Sequence, residues 1–191
     1  MSRAAFLDRD GVINRKAEEG QYITRWEELE ILPGAFEATA RLNRAGFLVI
    51  VVSNQRCVAK QLLKAAELDV LHERMRDLFA EHGADINGVY YCPHEENPPC
   101  HCRKPAPGML LEAARSWDID LPHSWMIGDS ETDIEAGKRV GCRTARLIES
   151  AVVTPTKKQE NRKAAPPDIT AGSLLDAVGQ ILDLEQLQIR K

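Results

Sequence analysis

Nothing in this 191-residue chain is apolar for long enough to cross a bilayer. Its longest aliphatic run is Leu48–Val52, where a spanning helix needs about 20 residues. The start meets an acid, Asp8, before any signal-peptide core could form. A basic excess is missing too. Lys and Arg number 25 against 29 Asp and Glu, a net charge of −4, so no nucleic-acid partner is indicated and an anionic ligand must be held by local positive charge. The chain contains no GxG and no GxxxxGK[ST], which argues against dinucleotide-binding and nucleotide-kinase readings. No cysteine has an arginine six positions on, so a thiol phosphatase is disfavoured. A disulfide framework is equally poorly supported. Five cysteines is an odd number, and three of them crowd between Cys92 and Cys102, which suggests metal binding in a reducing compartment. A cytoplasmic monomer without internal repeats is the expectation.

What is present is an alternation of strand and helix signals. Ala4–Leu7 is a short apolar run, and residues 12–32 read as a charged excursion that returns to the body. Pro33-Gly34 should open a helix with Phe36, Ala40 and Asn43 along one side, ended by Gly46. Phe47–Val52 is a β-branched run suited to a strand covered on both faces. The spacing Leu68, Leu71, Met75, Leu78, Phe79, His82 predicts a helix, and Gly83 stops it. Ile86–Tyr91, Ser124–Asp129 and Arg143–Ile148 predict further strands, with helices opening at Pro107 and after Asp129. The pattern implies one α/β domain over 1–191: a Rossmann-like parallel sheet of about five strands flanked by helices. Residues 154–167 look like a mobile loop, Ser173–Leu184 like a last helix, and 185–191 like a frayed tail.

Polar residues stand where apolar strands stop. Asp8-Arg9-Asp10-Gly11 ends the first strand, Ser53-Asn54-Gln55 the second, and Asp129 a later one. In an open α/β sheet the crevice beyond the carboxyl ends of the strands is where ligands bind. Asp8 and Asp10, two apart in extended backbone, can face one small volume, where a cation or a shared proton must offset their repulsion. Each motif alone has a plainer explanation. Asp129 and Asp133 suit a helix N-terminus, Ser53 a turn, and Arg103-Lys104 a solvated loop. Four such coincidences in order are a different matter.

Asp8-Arg9-Asp10-Gly11-Val12, Ser53-Asn54-Gln55, Arg103-Lys104-Pro105 and Gly128-Asp129-Ser130-Glu131-Thr132-Asp133 resemble the four ordered motifs of the haloacid dehalogenase superfamily. The resemblance spans about residues 4–148. It implies a squiggle and flap after the first strand, no separate cap domain, and a Mg²⁺-dependent phosphatase working through a phosphoaspartate. Asp8 would be the nucleophile and Asp10 the general acid and base. Mg²⁺ would be held by Asp8, the Asp10 backbone carbonyl and Asp129, with Asp133 orienting a water. Ser53 and Lys104 would stabilise the phosphoryl oxygens, with Asn54, Gln55, Arg103 and Lys104 binding substrate.

The loop Cys92-Pro93-His94 … Cys100-His101-Cys102 is similar to that of a narrower group, the heptose bisphosphate and histidinol-phosphate phosphatases. By spacing alone, ligands two apart on a short loop can close a tetrahedral zinc site, and His101 is then a rival ligand. The resemblance implies a structural zinc on Cys92, His94, Cys100 and Cys102, pinning the loop that delivers Arg103 and Lys104. The sequence after Lys104, Pro105-Ala106-Pro107-Gly108-Met109-Leu110, favours the heptose branch. The implied reaction is removal of the 7-phosphate of a D-glycero-D-manno-heptose 1,7-bisphosphate, on a route to cell-surface heptose. Against this, Arg56-Cys57 departs from the Ser-Gly common in heptose enzymes. Histidinol phosphate is the alternative substrate. A non-catalytic, zinc-stabilised sugar-phosphate binding protein is the alternative of another class. His72, His82 and His123 lack partners in sequence, Cys57 and Cys142 read as packed thiols, and Tyr22 and Trp26 as flap aromatics that could reach a sugar.

Overall fold

A computed structural model of the protein describes residues 1–148 and 165–189. Strand β1, Arg3–Leu7, is buried on both faces, and its side chains alternate between two cores. Ala5 and Leu7 join one, Ala4 and Phe6 the other, as the period of two requires. Around β1 a six-stranded, wholly parallel sheet assembles in the order β3-β2-β1-β4-β5-β6. The other strands are β2 (Phe47–Asn54), β3 (Gly88–Cys92), β4 (Trp125–Gly128), β5 (Arg143–Leu147) and β6 (Ile169–Ala171).

Helices cover both faces. The first core packs α1 (Ala35–Arg44), α3 (Ala65–Glu81) and α6 (Leu174–Ile189) through Leu42, Phe79 and Val178. The second packs α4 (Gly108–Trp117) and α5 (Glu131–Arg139) through Met109, Leu110 and Ala136. A one-turn helix, α2 (Arg56–Ala59), follows β2. Among the described residues no helix is long and apolar enough to cross a membrane.

Three expectations need correction, and a fourth lies mostly outside the described residues. The described residues form six strands rather than about five; the sixth, Ile169–Ala171, is only three residues long and too short to show a periodicity. The last helix runs to Ile189, so most of the segment read as a frayed tail is helical. Pro33 lies ahead of α1, whose N-cap is Gly34 at φ +80°; its fully buried side is Ala35, Ala38, Thr39 and Leu42 rather than the Phe36–Asn43 line. The loop placed at 154–167 falls outside the described residues except for 165–167, which lie in no element.

Between β1 and α1 the chain makes a tight turn, with Ile13 N–H donating to Arg9 O at 2.9 Å, and then a narrow excursion closed by an antiparallel bridge between Asn14 and Ile31. This is the squiggle and flap. It is too small to form a cap of its own.

Candidate active site

The strand order reverses between β1 and β4, and the two chain ends that splay there carry Asp8 and Asp129. Asp8 N–H donates to Ile127 O at 3.0 Å, tying the first motif to the neighbouring strand. Gly11 has φ +92°, and a Cβ there would collide with Asp129 Oδ2; any larger residue would push the two motifs apart. Gly128 is equally constrained, because a Cβ would overlap the Asp133 side chain.

A hollow of about 400 Å³ opens above these ends. Asp8, Asp10, Ser53, Asn54, Gln55, Arg103, Lys104, Asp129 and Asp133, every residue expected at the phosphate end, line it. Lys104, 2% exposed, sets its Nζ 2.9 Å from Asp8 Oδ1, 2.6 Å from Asp133 Oδ1 and 2.7 Å from Val52 O. Burial disfavours the ammonium, but Asp133 and Asp8 outweigh it and raise its pKa. The Asp8 pKa rises as well, which here favours the neutral form. Burial, with the charges of Asp133 and Asp10, pushes its pKa up to about 7 against the pull of Lys104.

Carboxylate oxygens of Asp8, Asp129 and Asp133 lie within 4.8 Å of one another. Asp129 Oδ1 is buried and has no hydrogen-bond partner among the described residues. An orphaned carboxylate oxygen in an all-oxygen cluster is the donor set a small hard cation takes, so the residues fit Mg²⁺. Asp133 is fully buried, and its Oδ2 accepts the Ser130 N–H at 3.1 Å and hydroxyl at 2.6 Å. It therefore also locks the start of α5.

Asp10 accepts five hydrogen bonds: three from Arg9 (3.0–3.2 Å), one from Asn14 and one from Gln55 (both 2.9 Å). Burial alone would raise its pKa; the Arg9 charge and the Asn14 and Gln55 amides more than reverse this. At rest Asp10 is a carboxylate aimed by its neighbours.

Asn54 and Gln55 line the hollow, yet their amides serve the protein. Asn54 bonds both the N–H (3.0 Å) and the carbonyl (3.1 Å) of Lys104. Gln55 Nε2 donates to Asp10 and, at 2.8 Å, to Ser53 Oγ, while the Cys57 thiol donates to its Oε1 at 3.6 Å. Cys57 is buried with a raised pKa, a packed and unreactive thiol. Arg103 reaches Glu96 at 3.3 Å and His94 O at 3.4 Å from the rim.

The sequence reading assigned no role to Lys16 or Arg9 and found no partner for His72. Lys16 Nζ sits 2.9 Å from Asp129 Oδ2. Arg9 is 0% exposed and bridges Asp10 to His72. Its burial was legible only as an arginine inside an otherwise acidic motif. Tyr22 lines the hollow, whereas Trp26 does not and lies under Arg74 at 4.7 Å. His82 stacks on Phe36 and His123 bonds Asp120, both outside the site.

Beside the hollow, Cys92, His94, Cys100 and Cys102 converge. Their sulfurs lie 3.2–3.5 Å apart, and His94 Nδ1 is 3.2 Å from Cys102 Sγ and 3.6 Å from Cys92 Sγ. A tetrahedron with zinc–sulfur bonds of about 2.3 Å has edges of about 3.8 Å, so this soft S₃N set fits Zn²⁺. His101 is exposed and outside the cluster. Cys100 Sγ accepts the Arg103 N–H at 3.4 Å, joining the loop directly to the residue before Lys104.

These are the marks of a carboxylate-based phosphoryl-transfer enzyme on a doubly wound sheet. The family model for haloacid dehalogenase-like hydrolases matches residues 3–138, and a second HAD-like hydrolase model matches 101–177. The chain belongs to this family, and within it to the phosphatases. It is 42% identical over 144 residues to the D-glycero-β-D-manno-heptose-1,7-bisphosphate 7-phosphatase of Pseudomonas aeruginosa, covering 75% of this chain and 80% of that one. It is 41% identical over 154 residues to the D-glycero-α-D-manno-heptose-1,7-bisphosphate 7-phosphatase of Burkholderia mallei, covering 77% and 80%. The crystal structure of D,D-heptose 1,7-bisphosphate phosphatase from B. bronchiseptica, complexed with magnesium and phosphate, superposes with a TM-score of 0.80 at 30% identity, covering 95% of this chain and 99% of that one.

Proposed function

We propose that this protein is a Mg²⁺-dependent heptose 1,7-bisphosphate 7-phosphatase acting as a single-domain monomer. The observation that carries the reading is Lys104 buried between Asp8 and Asp133, a cation beside a nucleophile-type carboxylate on the floor of a polar hollow. Relatives bearing that activity at about 40% identity support the substrate.

In this reading the Asp8 carboxylate attacks the phosphorus of the 7-phosphate as its bond to the sugar oxygen breaks. The departing oxygen takes a proton from Asp10. Water then attacks the phosphoaspartate, giving its proton to Asp10, and phosphate leaves with Asp8 regenerated. Lys104 and the Ser53 hydroxyl hold the phosphoryl oxygens as charge shifts onto them. Asp10 rests as an anion, so it must gain its proton as the dianionic substrate enters. Asp8, the Asp10 carbonyl and Asp129 would hold Mg²⁺, which supplies the charge that lets an anion approach a phosphate. Lys16 would then release Asp129 and face the incoming anion. Cys92, His94, Cys100 and Cys102 would hold Zn²⁺ as a structural centre, since four protein ligands leave no open position.

Release of inorganic phosphate from both heptose 1,7-bisphosphate anomers, histidinol phosphate and simple sugar phosphates tests the reading. The expected result is turnover of a heptose bisphosphate at least about tenfold above the others in kcat/KM. Preference for histidinol phosphate would replace the substrate. Turnover of none of them with Mg²⁺ present would replace the enzyme by a binding protein.

A further inference from the structure

Among the described residues Arg9 is the largest charged side chain that the fold buries completely, and the reaction scheme gives it no direct task. Its guanidinium has two edges in use. Nε and Nη2 fork onto the Asp10 carboxylate at 3.0–3.2 Å, and Nη1 points the opposite way to His72 Nε2 at 3.1 Å. An arginine only donates, so Nε2 must present its lone pair and the ring must be neutral with its proton on Nδ1. His72 belongs to α3, 63 residues along the chain, and its ring packs against Tyr91 with centroids 5.5 Å apart. The acceptor is therefore held by the body of the fold, not by the first motif.

We propose that His72 is a positioning residue for the acid–base step: by accepting from Nη1 it sets the guanidinium plane, and that plane sets the direction of the Asp10 carboxylate. Without a buried acceptor, Nη1 must turn the guanidinium to find another, and the fork on Asp10 turns with it. Burial and the adjacent Arg9 hold the imidazole pKa down at about 3, which keeps the acceptor lone pair available throughout the neutral range. A helix remote from the chemistry thus orients the group that hands a proton to the leaving oxygen as the P–O bond breaks. This inference rests on Asp10 being the general acid.

The test compares kcat/KM on a heptose bisphosphate, whose alkoxide needs that proton, with kcat/KM on p-nitrophenyl phosphate, whose phenolate leaves without one. This parameter stops at cleavage of the P–O bond, so the second half-reaction does not enter. His72→Phe keeps a packed ring without an acceptor. It is expected to lower the alkyl value about tenfold and the aryl value less than about twofold. His72→Gln restores an acceptor oxygen and should recover most of the loss. The ratio of the two substrates is independent of how much of a preparation is folded. Equal losses on both substrates, no loss, or a Gln variant no better than Phe overturns the proposal. Should His72→Phe not fold, ¹⁵N spectra of the unaltered protein decide: the Nδ1–H tautomer supports the proposal and an Nε2–H tautomer overturns it. Asp10→Asn, assayed alongside, separates the two levels. If it too loses both substrates equally, the acid role of Asp10 fails. If it is selective while His72→Phe is not, only the role of His72 fails.

Discussion

Two candidate metal centres stand side by side in this protein, and they are built in opposite ways. The carboxylate centre draws Asp8, Asp129 and Asp133 from two neighbouring strand ends and a helix start, each fixed by the parallel ladder before any ion arrives. The thiol centre draws its four side chains from the eleven positions 92–102, of which only Cys92 lies on a strand. The first has an orphaned oxygen and an open hollow; the second has four ligands that enclose one another. The lesson is that a sheet can set carboxylates at a fixed spacing with Lys104 and Lys16 offsetting their repulsion, whereas a short proline-containing loop with little ladder of its own would depend on a bound ion to stay folded.

The sharpest way to break that contrast is Asp8→Asn. It should reduce kcat by at least about a thousandfold, since it removes the proposed nucleophile. The melting temperature without metal should be unchanged or higher. Burial and like charges raise the Asp8 pKa to about 7, so the carboxylate is held in the fold against an electrostatic cost that Asn does not bear. A large drop in melting temperature would mean that the carboxylate centre supports the fold.

Cys100→Ser is the counterpart. Roughly tenfold to hundredfold loss in kcat/KM is expected, mostly in KM, because Arg103 hangs on Cys100 Sγ while Lys104 stays tied to Asn54 and Val52. Hydrogen exchange should show residues 93–103 opening while β1 and β4 stay protected. Uniform opening would erase the distinction between the centres.

A third test uses pH. A carboxyl group raised from 3.8 to about 7 keeps its proton below that pH in the metal-free protein. Mg²⁺ must displace this proton, so affinity should be flat above about pH 7.5 and fall up to about tenfold per unit below 7. Calorimetric titrations at pH 8 and 6 read this directly; equal affinities would mean that Mg²⁺ displaces no proton from Asp8 in this range. The smallest effect is expected from Lys16→Met. Removing the ammonium beside Asp129 Oδ2 should tighten Mg²⁺ binding about twofold to fivefold, a modest gain because Lys16 is 61% exposed and its charge is screened. Weaker binding would show that Lys16 helps to hold the ion rather than competing with it.

Much of this was legible beforehand for a physical reason. Strands buried on both faces must read as continuous apolar runs, and the first polar residue after each run must lie at the same edge of the sheet. Hence Asp8, Ser53 and Asp129 could be placed together from hydropathy alone, as could the alternation that makes the sheet parallel. β6 escaped because three residues carry no period, and the full extent of α6 because polar helix ends resemble coil. Asn54 and Gln55 were expected at the substrate; they line the hollow, and what the sequence did not reveal is that their amides also bond Lys104 and Asp10.

The amino-acid order alone determined the family of chemistry, since the type of residue at a strand's end is a local property. Which side chains reach one another is not. That Arg9 turns inward to His72, that Lys16 falls on Asp129, and that a Cβ at position 11 would strike the carboxylate of residue 129 depend on segments 63, 113 and 118 residues apart packing to within an ångström. Only close packing of the whole sheet and its helices decides distances that small.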